Sequence, residues 1–125
     1  MISADVIRLA RENEDFRREV ATSERSQVVV MTIPPGGEIG EEVHEGIDQI
    51  LLFVEGEGEA IVGGETRRVR PDEMVLVPGG TQHNFVNTGE WPLRLVTVYA
   101  PPEHEPGTVH RTKEEADAAE AEHGH

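Results

Sequence analysis

Short apolar runs separated by glycine and proline turns fill the middle of the chain, and they constrain its fold more than any other feature. The run at residues 27–34 is rich in β-branched residues and stops at Pro34-Pro35-Gly36-Gly37, and Gly63-Gly64 divides two further runs as a tight hairpin would. Helix-length segments do not alternate with these runs, so a parallel α/β fold is disfavoured. Many short strands at even spacing predict an all-β sandwich or barrel over roughly residues 15–100.

Both ends of the chain carry helical patterns. Residues 3–12 present an apolar face behind Ser3, a residue type that is favoured at the N-cap. Near the other end, Thr112 and Glu115 have the spacing of a capping box ahead of an alanine-rich stretch. We therefore predict a short N-terminal helix and an acidic helical tail over roughly residues 112–122, which has little apolar surface and is expected to lie exposed.

Composition limits the classes of function that the chain can have. Its 125 residues predict a single domain, residues 1–125, and no cysteine is present, which excludes disulfides, thiolate metal sites and thiol nucleophiles. The 25 acidic and 11 basic residues give a net charge of −14, so nucleic acid and anionic membranes are not expected as partners. The lack of a long apolar run or signal-peptide pattern predicts a soluble, cytoplasmic protein.

Two stretches, residues 42–49 and 78–87, hold side chains that can bind metal at the spacing of a strand. Residues two apart in a strand point to the same face, so Glu42 and His44 can converge on one ion. The same rule gives two more donors with apolar neighbours on their faces, namely Gln49 with Leu51 and Phe53, and His83 with Phe85. Polar donors beside an apolar wall are what a metal pocket inside a barrel requires.

These stretches resemble the two sequence motifs of the cupin family over roughly residues 27–100. The matching patterns are Gly36-x5-Glu42-x-His44-x4-Gln49-x6-Gly56 and Asp72-x5-Pro78-x-Gly80-x2-His83-x3-Asn87. The resemblance implies a jelly-roll barrel like that of small single-domain bacterial cupins, and it implies that the chain forms a homodimer. It also implies one divalent transition metal (Fe, Mn, Ni, Co or Zn) held by Glu42, His44, Gln49 and His83, with Leu51, Phe53 and Phe85 lining the pocket.

The chain departs from the usual cupin pattern at two of the four ligand positions. The family usually has His at the position of Glu42 and Glu at the position of Gln49, so this chain would offer two His, one carboxylate and one amide. Two His and one carboxylate form the ligand set of non-haem Fe(II) sites with open positions, although other metals accept it. An amide oxygen is a weak donor, so Gln49 is either a direct ligand or a hydrogen-bonding neighbour of the ligands.

Three functions remain open at this point. The first is a metal-dependent enzyme acting on a small organic molecule. In that class an oxygenase is favoured over an isomerase or lyase acting on a carbonyl or sugar-like substrate, because no second inward carboxylate is evident as a general base. The second is a module that binds a small molecule without turnover, and the third is a structural cupin that holds no metal. His104, His110, His123 and His125 are expected to be exposed tail residues.

Overall fold

The computed structural model describes the backbone of residues 1–123 and the side chains of residues 1–121. The predicted role of His123 and His125 as exposed tail side chains therefore lies outside the described residues. In chain order the elements are α1 (Val6–Glu12), β1 (Arg17–Thr22), β2 (Gln27–Ile33), β3 (Asp48–Glu55), β4 (Gly58–Val62), β5 (Glu65–Val69), β6 (Met74–Val77), β7 (His83–Val86), β8 (Leu93–Ala100), β9 (Val109–His110) and α2 (Lys113–His123).

The strands form two antiparallel sheets, which confirms the predicted all-β jelly-roll architecture. The larger sheet has the order β6-β3-β8-β2-β1-β9, and the smaller has the order β5-β4-β7. Alternating side chains of the two sheets meet in one apolar core, whose fully buried members include Met31, Leu51, Phe53, Phe85 and Leu95. Each such side chain contributes about 1.5–3 kcal/mol when it leaves water, so this core is the main source of stability.

The N-terminal helix begins at Val6, so the prediction of Ser3 as its N-cap is wrong. Residues 1–5 are exposed, and Asp5 occupies the N-cap position without a side-chain hydrogen bond. A seven-residue helix is too short to be stable alone, so tertiary packing decides where it begins. Its apolar face lies on the outer surface of the larger sheet in a second cluster with Val30, Val54 and Val96.

The segment after β8 turns back across one end of the barrel. Gln27 fastens it: its Nε2 donates to the His104 carbonyl (2.6 Å), and its Oε1 accepts from the backbone N–H groups of Glu103 (3.2 Å) and His104 (2.9 Å). Beyond this point the two residues of β9 pair with β1. The segment therefore forms a roof over the barrel end.

The C-terminal helix completes this roof. Thr112 caps it, as predicted, because its Oγ1 accepts from the Glu115 N–H at 3.1 Å. Most of its described side chains are exposed, but Ala116 is only 4% exposed and belongs to the main core cluster. The expectation of a wholly exposed tail is therefore wrong at this residue, because small alanine side chains allow the helix to approach the barrel closely.

One edge of the larger sheet bears on the predicted homodimer. β6 lies at the edge of the larger sheet with Met74 and Leu76 exposed, and such an edge can pair with another chain. The homodimer nevertheless stays a prediction.

No helix in the described part of the chain is long and apolar enough to cross a membrane.

Candidate functional site

The two metal-competent stretches meet through their backbones. Glu42 and His83 form an isolated antiparallel bridge, in which each residue's N–H donates to the other's carbonyl at 2.9 Å. His44 follows two residues later, and its ring centroid lies 5.4 Å from that of His83. The carboxylate Oε2 of Glu42 lies 3.0 Å from His44 Nε2. Glu42, His44 and His83 therefore share one corner of the barrel.

The His83 ring is held in one orientation by its neighbour. Its Nδ1 lies 2.8 Å from the carbonyl oxygen of Thr81, and because a carbonyl only accepts, Nδ1 carries the proton. Nε2 is then left with a free lone pair. This atom is buried and has no hydrogen-bond partner among the described residues. A histidine whose one nitrogen donates to a carbonyl while the other stays free has the arrangement of a metal ligand.

Gln49 resembles His83 in that one of its two polar side-chain atoms makes a hydrogen bond and the other has no partner among the described residues. Its side chain is buried, and its Nε2 donates to Thr97 Oγ1 at 3.0 Å. Its Oε1 is buried without a partner among the described residues. Gln49 lies opposite Tyr99 in the β3–β8 register, and the His44 ring lies 6.0 Å from the Tyr99 ring. The amide and the imidazole therefore adjoin the same tyrosine.

These four residues fit a divalent ion by their donor chemistry. Two ligands about 2.1 Å from an ion and at a right angle to one another lie about 3.0 Å apart. Glu42 Oε2 and His44 Nε2 are separated by the same distance, although an ion pair also explains it. In the part of the chain that is described, no three His, Asp or Glu side chains are already grouped as a metal centre. The remaining donors would be His83 Nε2 and the Gln49 amide oxygen.

Two carboxylates flank His44. The hydrogen bond that protonated His44 donates to Glu42 raises the pKa of His44 above its usual 6.5, burial opposes this, and the charge of Glu103 adds to the rise. Glu103 Oε1 lies 3.7 Å from His44 Nδ1, and its side chain is 29% exposed. Burial also raises the pKa of Glu103, while the charge of His44 lowers it. Glu103 is therefore the second inward carboxylate that the sequence did not reveal.

A cavity of about 690 Å³ opens beside Glu42 under the roof segment. Its walls come from three parts of the chain: Arg17 on β1, the roof residues, and Ala116, Ala119 and Glu120 on α2. Leu51, Phe53 and Phe85 are fully buried in the core, with the Phe85 ring 6.1 Å from that of His83. Their contact with a bound molecule stays a prediction.

Residues 29–99 match the family model described as "Cupin domain". The chain belongs to the cupin family. The uncharacterized protein YrkC of Bacillus subtilis is 40% identical over 122 residues, which cover 93% of this cupin and 66% of YrkC. The crystal structure of BH2720 from Bacillus halodurans superposes with a TM-score of 0.92 at 39% identity and covers 94% of this chain and 93% of that one. An oxalate-binding protein of Thermotoga maritima is 29% identical over 68 residues, covering 54% of this chain and 56% of its own.

The cupin match contains Glu42, His44, Gln49 and His83, but apart from Glu42 it leaves out the residues that line the cavity. His104 is the main example, and its predicted exposure is wrong. Its ring stands edge-on to Tyr99 at 5.1 Å, and its Nε2 is buried without a partner among the described residues. Burial lowers the pKa of His104 to about 3, with Arg17 contributing a smaller share.

His110 is likewise only partly exposed, since its Nδ1 lies 3.3 Å from Arg17 Nη1. Sequence reasoning missed the roof because Pro101-Pro102 ends the last predicted strand, and the residues beyond it show no strand pattern. The available signal was Val109 and the alanine-rich helix beyond it, which gain little stability unless they pack against the barrel.

Proposed function

We propose that this cupin binds one divalent transition-metal ion through Glu42, His44, Gln49 and His83 and acts on a small organic molecule in the adjoining cavity. One observation carries the proposal: His83 Nε2 and Gln49 Oε1 are buried donor atoms that lack a partner among the described residues. An unpaired buried polar atom costs about 1–3 kcal/mol, and a bound ion would satisfy both.

Each donor already has a fixed orientation in the protein. The Thr81 carbonyl holds the His83 tautomer, Thr97 holds the Gln49 amide, and Glu103 faces the far nitrogen of His44. When bound, the ion would supply Lewis-acid chemistry to an oxygen atom of the ligand. The burial of His83 and Gln49 keeps competing water away from the ligand atoms.

Proton transfer is the chemistry that we propose first, as in an isomerase or lyase. The sequence favoured an oxygenase partly because no second inward carboxylate was evident. Glu103 now fills that role: it lines the cavity, and burial raises its pKa above the usual value of a glutamate, which makes it a better proton acceptor. It can therefore take a proton from a ligand bound in the cavity and return it at a neighbouring atom.

An oxygenase is the second candidate, and the donor set favours it. Two His and one carboxylate with open positions suit Fe(II) and O₂ chemistry. A cavity of about 690 Å³ has the size of sites for small organic molecules. One relative carries the name oxalate-binding protein, which agrees with a small organic ligand. An oxygen electrode with Fe(II)-loaded protein separates the two chemistries, because only an oxygenase consumes O₂ in step with substrate.

Metal analysis of untagged protein tests the proposal directly. Wild-type protein, reconstituted with Fe, Mn, Co, Ni or Zn in turn and desalted, should retain about one ion per chain. His83→Ala should lose that ion, since it removes one buried donor. A control variant carrying His123→Ala and His125→Ala should retain it, because these residues are not part of the proposed site. No stoichiometric ion in wild-type protein, or full occupancy in His83→Ala, would refute the proposal.

A further inference from the structure

Arg17 is a buried cation that has no anionic partner in the part of the chain whose side chains are described. It is 7% exposed, and its guanidinium stays protonated at any physiological pH. None of the ion pairs among the described residues involves it. Its Nε is buried and makes no hydrogen bond to a described residue. A buried charge is costly unless it is paired, and the described residues do not supply the anion that would pair with Arg17.

The groups around the guanidinium are uncharged. Arg17 Nη1 donates to His110 Nδ1 at 3.3 Å, and its Cζ lies 5.3 Å from the centroid of the Phe16 ring. Burial lowers the pKa values of His104 and His110, and burial raises that of Tyr99, so all three are neutral near pH 7. These neighbours shield Arg17 from water without supplying negative charge.

The cavity also has four carboxylates, but none of them forms an ion pair with Arg17. Glu42 and Glu103 face His44 on the side of the proposed metal, at 3.0 and 3.7 Å. Glu105 and Glu120 are exposed at the rim, where solvent and salt screen their charges. Arg17 is nevertheless close enough for its charge to act against the rise in the pKa of both His44 and Glu103. The cavity thus has one buried cationic group, Arg17, within electrostatic reach of the proposed metal ligands.

We propose that the ligand of this cavity is an organic carboxylate and that Arg17 is the residue that recognises it. The carboxylate would bind the part of the guanidinium that lines the cavity, and the rest of the molecule would extend toward Glu42. A guanidinium matches a carboxylate with two parallel N–H···O bonds, which also fixes the ligand's direction. The inference rests on the proposed function and adds the substrate class to it.

Arg17 and the roof residues lie outside the matched cupin residues 29–99. The ligand selectivity of this chain would therefore come from parts of the molecule that the family match does not include. The metal would be held by the shared barrel, and the carboxylate by β1 beneath the roof. This division separates the two functions physically, so each can be removed while the other is measured.

Calorimetric titration with matched acids and amides tests the inference. The probes are acetate, propionate and benzoate, each compared with its neutral amide, on metal-loaded and metal-depleted protein. Wild-type protein should bind at least one acid tenfold or more tightly than its amide. Arg17→Met should abolish that preference while the metal content of the same sample stays unchanged. Arg18→Met, which alters the exposed neighbouring residue on β1, should retain it.

A second variant covers the case in which Arg17→Met does not fold, as judged by circular dichroism. Arg17→Lys keeps the charge but loses the planar fork, so acid affinity should fall at least threefold with some preference retained. The inference is overturned if wild-type protein binds no acid more tightly than its amide, or if the preference survives in the folded Arg17 variant. If no metal binds but an Arg17-dependent preference persists in metal-depleted protein, the metal proposal fails and the carboxylate site stands.

Discussion

Two arginines are buried in this protein, and their surroundings differ. Arg94 on β8 is 9% exposed and pairs with Glu14 and Glu55, each at 3.1 Å, while its Nη1 donates to the carbonyl of Asn13. Arg17 is equally buried, yet among the described residues it contacts only neutral groups. The first arrangement is complete within the chain and joins the N-terminal segment to the sheet. The second is incomplete, which is expected at a binding site and not in a structural network.

Metal addition should give the largest effect, and it compares the proposed metal site beside Arg17 with the Arg94 network. An ion present at about 1,000 times its dissociation constant stabilises the folded state by about 4 kcal/mol. We expect this gain in free energy of unfolding for wild-type protein and for Arg94→Met, and none for His83→Ala. Urea unfolding with and without the ion measures it. Equal stabilisation of His83→Ala would place the bound ion outside the proposed site.

Removing each arginine should have different effects on stability. Arg94→Met loses the bonds to Glu14, Glu55 and Asn13, and we expect a cost of about 2 kcal/mol, reduced from buried-pair values because both carboxylates are partly exposed. Arg17→Met removes a charge that forms no ion pair with any described residue, and it should change stability by less than about 1 kcal/mol, or increase it. Ligand-free urea unfolding of both variants is the measurement. Similar losses in the two variants would remove the contrast between the regions.

Introducing a negative charge at position 49 tests whether Gln49 is a direct ligand of the proposed metal ion. If Gln49 Oε1 binds the ion directly, Gln49→Glu should tighten binding about tenfold, or about 1.4 kcal/mol, because a carboxylate is a stronger donor than an amide. Competition with a chelator measures the change. An affinity within twofold of wild type would make Gln49 a neighbour of the ligands. Arg68→Gln serves as a control for general charge effects, since Arg68 pairs with Glu57 on an exposed surface.

The smallest expected effect is the pH dependence of the free energy of unfolding, which should report on His104 in the roof. The folded-state pKa of His104 is about 3, below the 6.5 of an unperturbed histidine, so its contribution to stability is present above pH 6.5 and is lost as the pH falls. This predicts a loss of about 1 kcal/mol between pH 6.5 and 5.5 for metal-depleted protein. His104→Phe should lose that part of the slope. An unchanged slope in the variant would assign the pH dependence to other groups.

The fold was predictable because its signals are local. Turn residues such as Gly63-Gly64 divide the strands, and the spacing of Glu42, His44 and His83 is fixed within two short stretches. The backbone bridge between Glu42 and His83 then follows from the antiparallel pairing of those stretches. Local patterns that repeat every two residues are therefore sufficient to indicate the barrel and the proposed metal donors.

The cavity was not predictable because its residues come together through long-range contacts. Arg17 meets His110 across 93 positions through a strand of two residues, which is too short to show any periodicity. Glu103 and His104 face inward because Gln27, more than 70 positions earlier, fastens the roof. The predicted start of α1 was wrong for a related reason, because packing on the sheet outweighed the capping preference of Ser3.

The fastening of the roof by Gln27 has a consequence for how such a protein diversifies. One amide group, 1% exposed, holds the segment that carries Glu103 and His104 through three hydrogen bonds. A substitution at this single position would alter the width of the cavity mouth without changing any residue that lines it. Selection can therefore adjust which molecules enter while the barrel and the proposed metal donors stay constant, and an engineer can do the same by mutating a residue outside the cavity lining.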